Sequence, residues 1–188
     1  AILSTSRVCE DSIGAWDAHN QNIHSRCDYL NSLGIEKLHY TADNGTDLTV
    51  GLMEQGIFCA GADTTREGVV YNPNIPSEEA FCSPMRGQAE GIVYSTKPLS
   101  YRGQLIDNFW IRFENGKAVE SGAQQGAELL ATMLSMDEGA AYLGECALVP
   151  QRSPICESGI LFYNTLFDEN AACHLAMGMG FADTIDNF

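Results

Sequence analysis

Basic side chains are scarce in this chain. Ten lysines and arginines stand against 25 aspartates and glutamates in 188 residues, a formal charge of −15. A surface this negative repels phosphate backbones and anionic lipid, so nucleic acid and membrane are excluded as natural partners. It favours cations and cationic groups, the free amino terminus of a peptide among them, but it also suits an ordinary acidic cytosolic protein. Long apolar runs are lacking. None approaches the roughly 18 residues that cross a bilayer, and Ala1–Arg7 lacks the basic region, apolar stretch and cleavage site of a secretory signal. There is no Met at position 1, and the chain reads as starting inside a longer protein. Closely spaced cysteines are missing as well. The seven present are an odd number, the nearest two are ten apart, and no C-x-x-C zinc or redox pattern exists. Most lie in apolar context, such as Ile57-Phe58-Cys59-Ala60, and are expected as reduced core residues of a cytoplasmic protein. The G-x-S-x-G elbow, the glycine-rich phosphate loops and H-E-x-x-H are all absent.

What is present suffices for one domain with a substantial core: 45% of residues are apolar and 19% charged. Ser12–Leu33 has helical spacing, with Ile13, Trp16, Ile23, Cys27, Leu30 and Leu33 on one face. Asp11 or Ser12 is the expected cap, and Gly34 the expected stop. His19 and His24 fall among Asn, Gln and Asp and read as solvated. Strand-like runs follow at 37–40, 47–52, 57–60, 68–71, 89–95, 104–106 and 109–113. Asn115-Gly116 then predicts a tight hairpin. A second helix is expected over Gln124–Met136. Two more short apolar runs follow at 144–149 and 160–166, and a last helix from near Asp168 through His174. Strands outnumber helices and tight turns join some of them, which predicts an α+β fold on a mostly antiparallel or mixed sheet.

Three stretches hold acids in apolar or glycine-rich company: Pro76–Phe81, Tyr142–Val149 and Phe167–His174. A lone Glu145 in a buried strand is costly unless paired or bound to a cation. His174 sits among small apolar residues, so its imidazole is expected to face the interior. Carboxylate and imidazole together suit Zn, Co or Mn-type ions. Each residue also has a plainer reading. Glu145 can sit at an edge or pair with Arg152. Asp168 and Glu169 can simply begin a helix. His174 can be a hydrogen-bonded core histidine, and Glu78-Glu79 another helix start. Glu169 and His174 are five apart, about 140° around a regular helix, so they share a centre only if Glu169 precedes the first full turn.

Taken jointly, Thr46–Leu52, Asn74–Phe81, Ser95–Leu99, Met136–Ala140, Leu143–Pro150 and Leu161–His174 resemble the M29 family of metallo-aminopeptidases over nearly the whole chain. The resemblance implies an enzyme that removes the N-terminal residue from peptides with two divalent metal ions (Zn, Co or Mn/Mg). It implies Glu79, Glu145 and His174 as metal ligands, Glu145 shared between the two ions, and Glu169 as a further ligand. Peptides with a free N-terminus would be its substrates, a homodimer its assembly and the cytoplasm its location. Glu78 is the candidate catalytic residue to accept the water's proton because it adjoins a ligand, although neighbours on a strand point to opposite faces. Two departures stand out. The family's first α/β domain and a later segment with a His and an Asp ligand have no counterpart in the chain, so residues 1–188 are expected to be a partial catalytic domain, inactive alone. Phe181 stands where the family carries a tyrosine. Both departures also fit a rival reading, a non-catalytic binding or dimerisation domain on the same fold.

Overall fold

Asp11 accepts a hydrogen bond from the Gly14 amide (2.9 Å), the interaction expected of the residue that starts a long helix. Residues 1–185 are described in a computed structural model. Its helices are α1 (Ile2–Thr5), α2 (Ser12–Ser32), α3 (Ala127–Leu134), α4 (Pro154–Ser158) and α5 (Thr165–Glu169). Its first six strands are β1 (Lys37–Thr41), β2 (Asp47–Leu52), β3 (Asp63–Thr64), β4 (Val70–Tyr71), β5 (Ala80–Cys82) and β6 (Pro84–Tyr94). The others are β7 (Leu99–Tyr101), β8 (Gln104–Glu114), β9 (Lys117–Gln125), β10 (Leu143–Leu148) and β11 (His174–Met177). The class is α+β, as the strand-rich order and its tight turns predict.

The chain divides into two compact units. One comprises Ala1–Gly34, Ile57–Phe81 and Ala147–His174; the other comprises Ile35–Gly56, Cys82–Cys146 and Leu175–Phe188. In the second unit an antiparallel sheet runs β1-β2-β6-β8-β7, with β9 paired to β8. Leu48 and Val50 alternate inward from β2, and Ile106, Ile111 and Phe113 are buried from β8, so one face of the sheet forms a core. β8 and β9 turn at Asn115-Gly116, whose φ values of 49° and 78° fit the two-residue hairpin expected there. Gly116 is also required for space, because a Cβ there would lie 2.4 Å from the Gly87 nitrogen. A three-stranded sheet has the order β11-β10-β5.

The first unit is held by α2 in an unexpected way. Ile23 and Cys27 are buried, but Ile13 is 79% exposed, so the expected apolar face is only partly inward. Much of the attachment is polar instead. Asn31 exchanges two bonds with the Phe58 backbone (2.7 and 3.1 Å), Asn20 and Asn72 exchange two more (3.0 and 2.9 Å), and His24 meets the Ala60 carbonyl at 2.9 Å. The run at 57–60 forms one bridge, Cys59 to Phe81, rather than a strand.

The largest correction concerns the end of the chain. Residues 160–164 are irregular, and the helix expected to reach His174 stops at Glu169. Asn170 ends it: its side-chain amide donates to the Leu166 carbonyl (2.9 Å), and the residue is fully buried. His174 therefore begins a strand, and the helical angle between it and Glu169 does not apply.

Candidate metal centre

Ser77, Glu78 and Glu79 are all buried, at 6%, 4% and 8% exposure, just before β5. Two adjacent buried carboxylates are costly unless each has a partner, and in the first unit each has a different one.

Glu78 is gripped by Arg7. The guanidinium forks onto both carboxylate oxygens, with Nη2 to Oε2 at 2.9 Å, and lies over the Trp16 ring at 5.1 Å. Arg7 holds a left-handed backbone (φ 55°) to do this. Its Nη2 also donates to His19 Nδ1 (2.8 Å), which leaves Nε2–H of His19 to donate to the Ser77 carbonyl (2.7 Å). That arrangement needs a neutral imidazole. Burial lowers the His19 pKa and outweighs the Ser77 bond and the Glu78 charge, which act the other way. His19, read from sequence as solvated, is thus part of a buried network, with its side chain 9% exposed. The Glu78 amide donates to Asn170 Oδ1 (2.7 Å), and Ser153 donates to the Asn170 carbonyl (2.6 Å). Arg7, His19 and Asn170 were not singled out by sequence because each is a common residue at a position without periodic signal. Only the partner 58 to 92 residues away gives it a role. Replacing Arg7 with alanine leaves the buried Glu78 charge uncompensated and is expected to cost about 3–5 kcal/mol of stability. Urea denaturation measures it, and Arg7→Lys should recover only part, since an ammonium cannot fork.

Glu79 faces His174 instead. Oε2 of Glu79 and Nε2 of His174 are 2.8 Å apart, with side-chain exposures of 10% and 16%. The distance is that of an ion pair, and apart from this ring nitrogen the buried Oε2 has no partner among the described residues. His174 Nδ1 meets the Ala172 carbonyl at 3.0 Å and is therefore its N–H side. In the neutral ring Nε2 then presents a lone pair to a carboxylate oxygen. Two buried acceptors this close need a cation: a proton on His174 or a metal ion. In the metal-free protein it is a proton. Burial disfavours the charged ring, but Glu79, the Ala172 carbonyl and Glu169 together outweigh it and push the pKa up to about 9. A carboxylate and an imidazole poised in this way fit a divalent ion, with Ala172 orienting the ring as a second partner commonly does for ligating histidines.

Glu169, at the end of α5, acts on His174 through its charge. Asp168 has a structural role: its carboxylate accepts from the Phe162 and Asn164 amides (2.7 and 3.0 Å). Glu145 belongs to the second unit and is half-buried in β10 between buried Gly144 and Cys146. Burial pushes the Cys146 thiol up to about 12 and the Cys27 thiol up to about 11, so neither supplies a thiolate nucleophile. His39, on β1, is exposed and pairs with Asp47 at 2.8 Å.

The chain matches the family described as Thermophilic metalloprotease (M29) over residues 1–188. It is 46% identical over 187 residues to Aminopeptidase T of Thermus aquaticus, covering 99% of this chain and 46% of that protein. It is also 46% identical over 186 residues to Aminopeptidase AmpS of Bacillus subtilis, covering 98% of this chain and 45% of that protein. Among solved structures, wild-type AmpT from Thermus thermophilus superimposes with a TM-score of 0.89 at 44% identity, over 93% of this chain and 44% of the other. The chain therefore spans a little under half the length of these relatives.

Proposed function

The chain belongs to the thermophilic metalloprotease (M29) family, and on that premise we propose that it supplies the metal-binding part of a metal-dependent aminopeptidase that releases N-terminal residues from peptides. The observation that carries the reading is the buried Glu79–His174 pair, in which a carboxylate oxygen faces only an imidazole nitrogen. Glu145 is proposed as the third ligand and Glu169 as a fourth. In support, Glu145 is a half-buried carboxylate between buried Gly144 and Cys146 in β10. Two ions, a homodimer and a cytoplasmic location are part of the same proposal. No helix among the described residues is long and apolar enough to cross a membrane.

When bound, such ions supply Lewis-acid polarisation of the scissile carbonyl and a water acidic enough to attack near neutral pH. The protein's own groups do the rest. Acidic side chains around the ligands receive the cationic amino terminus of the peptide. Glu78 is proposed to take the proton of the attacking water at a carboxylate oxygen, held in orientation by Arg7 and His19. Turnover of an aminoacyl chromogenic substrate by the protein carrying this chain, with Co²⁺ or Zn²⁺ and then with chelator, tests the reading; activity indifferent to metal removal sinks it. For Glu78, the Glu78→Gln exchange keeps the size and removes the base. A fall in kcat of about 10²–10⁴ with KM held supports general-base catalysis. Lower stability with kcat intact would reduce Glu78 to the partner of Arg7. Phe181, which carries no hydroxyl, supports the second reading, a non-catalytic domain; metal binding without turnover would favour it.

A further inference from the structure

A cavity of about 410 Å³ lies wholly within the second unit, toward the small end of the size range of small-molecule sites. One wall depends on glycine: a Cβ on Gly144 would lie 2.3 Å from the Met179 carbonyl oxygen, so only glycine lets the 178–180 backbone pass there. Glu145 is the next residue on β10, and its side chain leaves the strand on the face opposite Gly144. In a chain with 25 acidic residues, none is on the described lining. Most of that lining is apolar: Met53, Pro84, Met85, Leu143, Phe181 and Ile185.

The lining carries one cation, Arg86, near the start of β6. Its guanidinium stacks over the Tyr142 ring at 4.3 Å, hydrogen-bonds Tyr142, and donates from Nη2 to Glu138 (3.2 Å). These contacts fix the plane of the group. They use only part of the donor set of a guanidinium, and the side chain is 59% exposed, so donors are left for a ligand. Glu138 is 92% exposed, and a pair as solvated as this is weak, so an incoming anion can displace it. Ser83 is already engaged: its Oγ accepts from the Phe181 amide (2.9 Å) and from Thr184 Oγ1 (2.7 Å). An uncommitted cationic fork beside an apolar wall is therefore what a ligand meets.

We infer that this cavity binds a small carboxylate with an apolar or aryl body, its charge on Arg86 and its body against the methionines, Leu143 and Phe181. The planar fork takes a carboxylate through two parallel charge-assisted bonds, which a neutral amide cannot match. An amine would meet the like charge of Arg86 and no acid. The apolar wall adds affinity with each methylene removed from water. The inference is independent of the peptidase reading, because neither a metal ion nor a scissile bond enters it.

The test is calorimetric titration of the protein carrying this chain in metal-free buffer. 3-Phenylpropanoate should bind with a Kd on the order of 1 mM or tighter. 3-Phenylpropanamide, similar in shape but uncharged, should bind at least about tenfold more weakly, and 3-phenylpropylamine more weakly still. Acetate, which has the charge without the body, should also lose about tenfold or more. Arg86→Gln should bring acid and amide to within about threefold of each other, and Arg86→Lys should restore only part of the difference. Ala182 is exposed on the cavity rim, so Ala182→Phe can fill the mouth without disturbing the core; it should weaken acid and amide alike. Comparing N-acetylglycyl-L-leucine with 4-methylpentanoate separates the two sources of such a group: tighter binding of the first assigns the site to peptide C-termini, of the second to free acids, and both agree with the carboxylate assignment. Equal binding of phenylpropanoate and its amide by the wild type overturns the inference, as does a preference for the acid that survives in Arg86→Gln. Acid binding unchanged by Ala182→Phe places the ligand elsewhere and overturns it too.

Discussion

Exchanging Glu145 and His174 together for alanine is expected to weaken Zn²⁺ or Co²⁺ binding by more than about a hundredfold and to remove metal-dependent turnover. Loss of an outer-shell partner alone costs about 10- to 100-fold in affinity or activity, and these exchanges delete ligating atoms. The physical basis is the local charge. In the protein without metal, the Glu79 carboxylate is compensated by the protonated ring of His174 at 2.8 Å. Metal displaces that proton, so the ring must be present to donate its lone pair and Glu145 must add negative charge. The single exchanges divide the roles. His174→Ala also strips Glu79 of its counter-charge, so its folding must be checked by circular dichroism. Glu145→Ala leaves the Glu79–His174 pair in place and tests the proposed third ligand, with its folding checked in the same way. Glu169→Gln, which removes a charge acting on His174 without touching that pair, should weaken binding less. Calorimetric titration decides the matter: metal affinity in the double variant equal to the wild type would end the metal-centre assignment.

Without metal, stability should fall as pH rises from about 6.5 to about 9. His174 is raised in the folded protein to about 9 from an ordinary 6.5: burial acts against the charged ring, but the hydrogen bond and charge of Glu79, the Ala172 carbonyl and the Glu169 charge together outweigh it. A group whose pKa is higher in the folded state binds its proton more tightly there. Its contribution is therefore full below the unfolded value of 6.5 and disappears as pH climbs through the folded value. The shift corresponds to something on the order of 3 kcal/mol. Melting temperature followed from pH 6 to pH 10 in chelator should decline across that window. His174→Gln should flatten the decline, and excess Zn²⁺ should reverse it, because metal competes with the proton and binds better as pH rises. A metal-free protein whose stability is constant between pH 6.5 and 9 would contradict the paired geometry.

The sequence by itself determined the α+β class, the capped start of α2, the Asn115-Gly116 hairpin and most strands of the large sheet. All of these rest on interactions among residues near in the chain: Asp11 with Gly14, the left-handed turn, the two-residue alternation of Leu48 and Val50. It also drew attention to Glu79, Glu145 and His174, since a carboxylate or imidazole in apolar company is anomalous without any knowledge of the fold. Tertiary structure decided how these residues are served. That Glu78 and Glu79 take different partners, Arg7 and His174, depends on contacts 71 and 95 residues away along the chain. That His174 begins a strand was decided by Asn170, whose buried amide both ends α5 and receives the Glu78 N–H. The polar underside of α2, with His19 buried and Ile13 exposed, was likewise invisible to periodicity, because hydrogen bonds rather than apolar area attach that face. Local propensity and patterning act over a few residues and can be read in order. The pairing of buried charges is a property of the folded chain, since burial is what makes an unpaired charge costly and a correctly placed partner decisive.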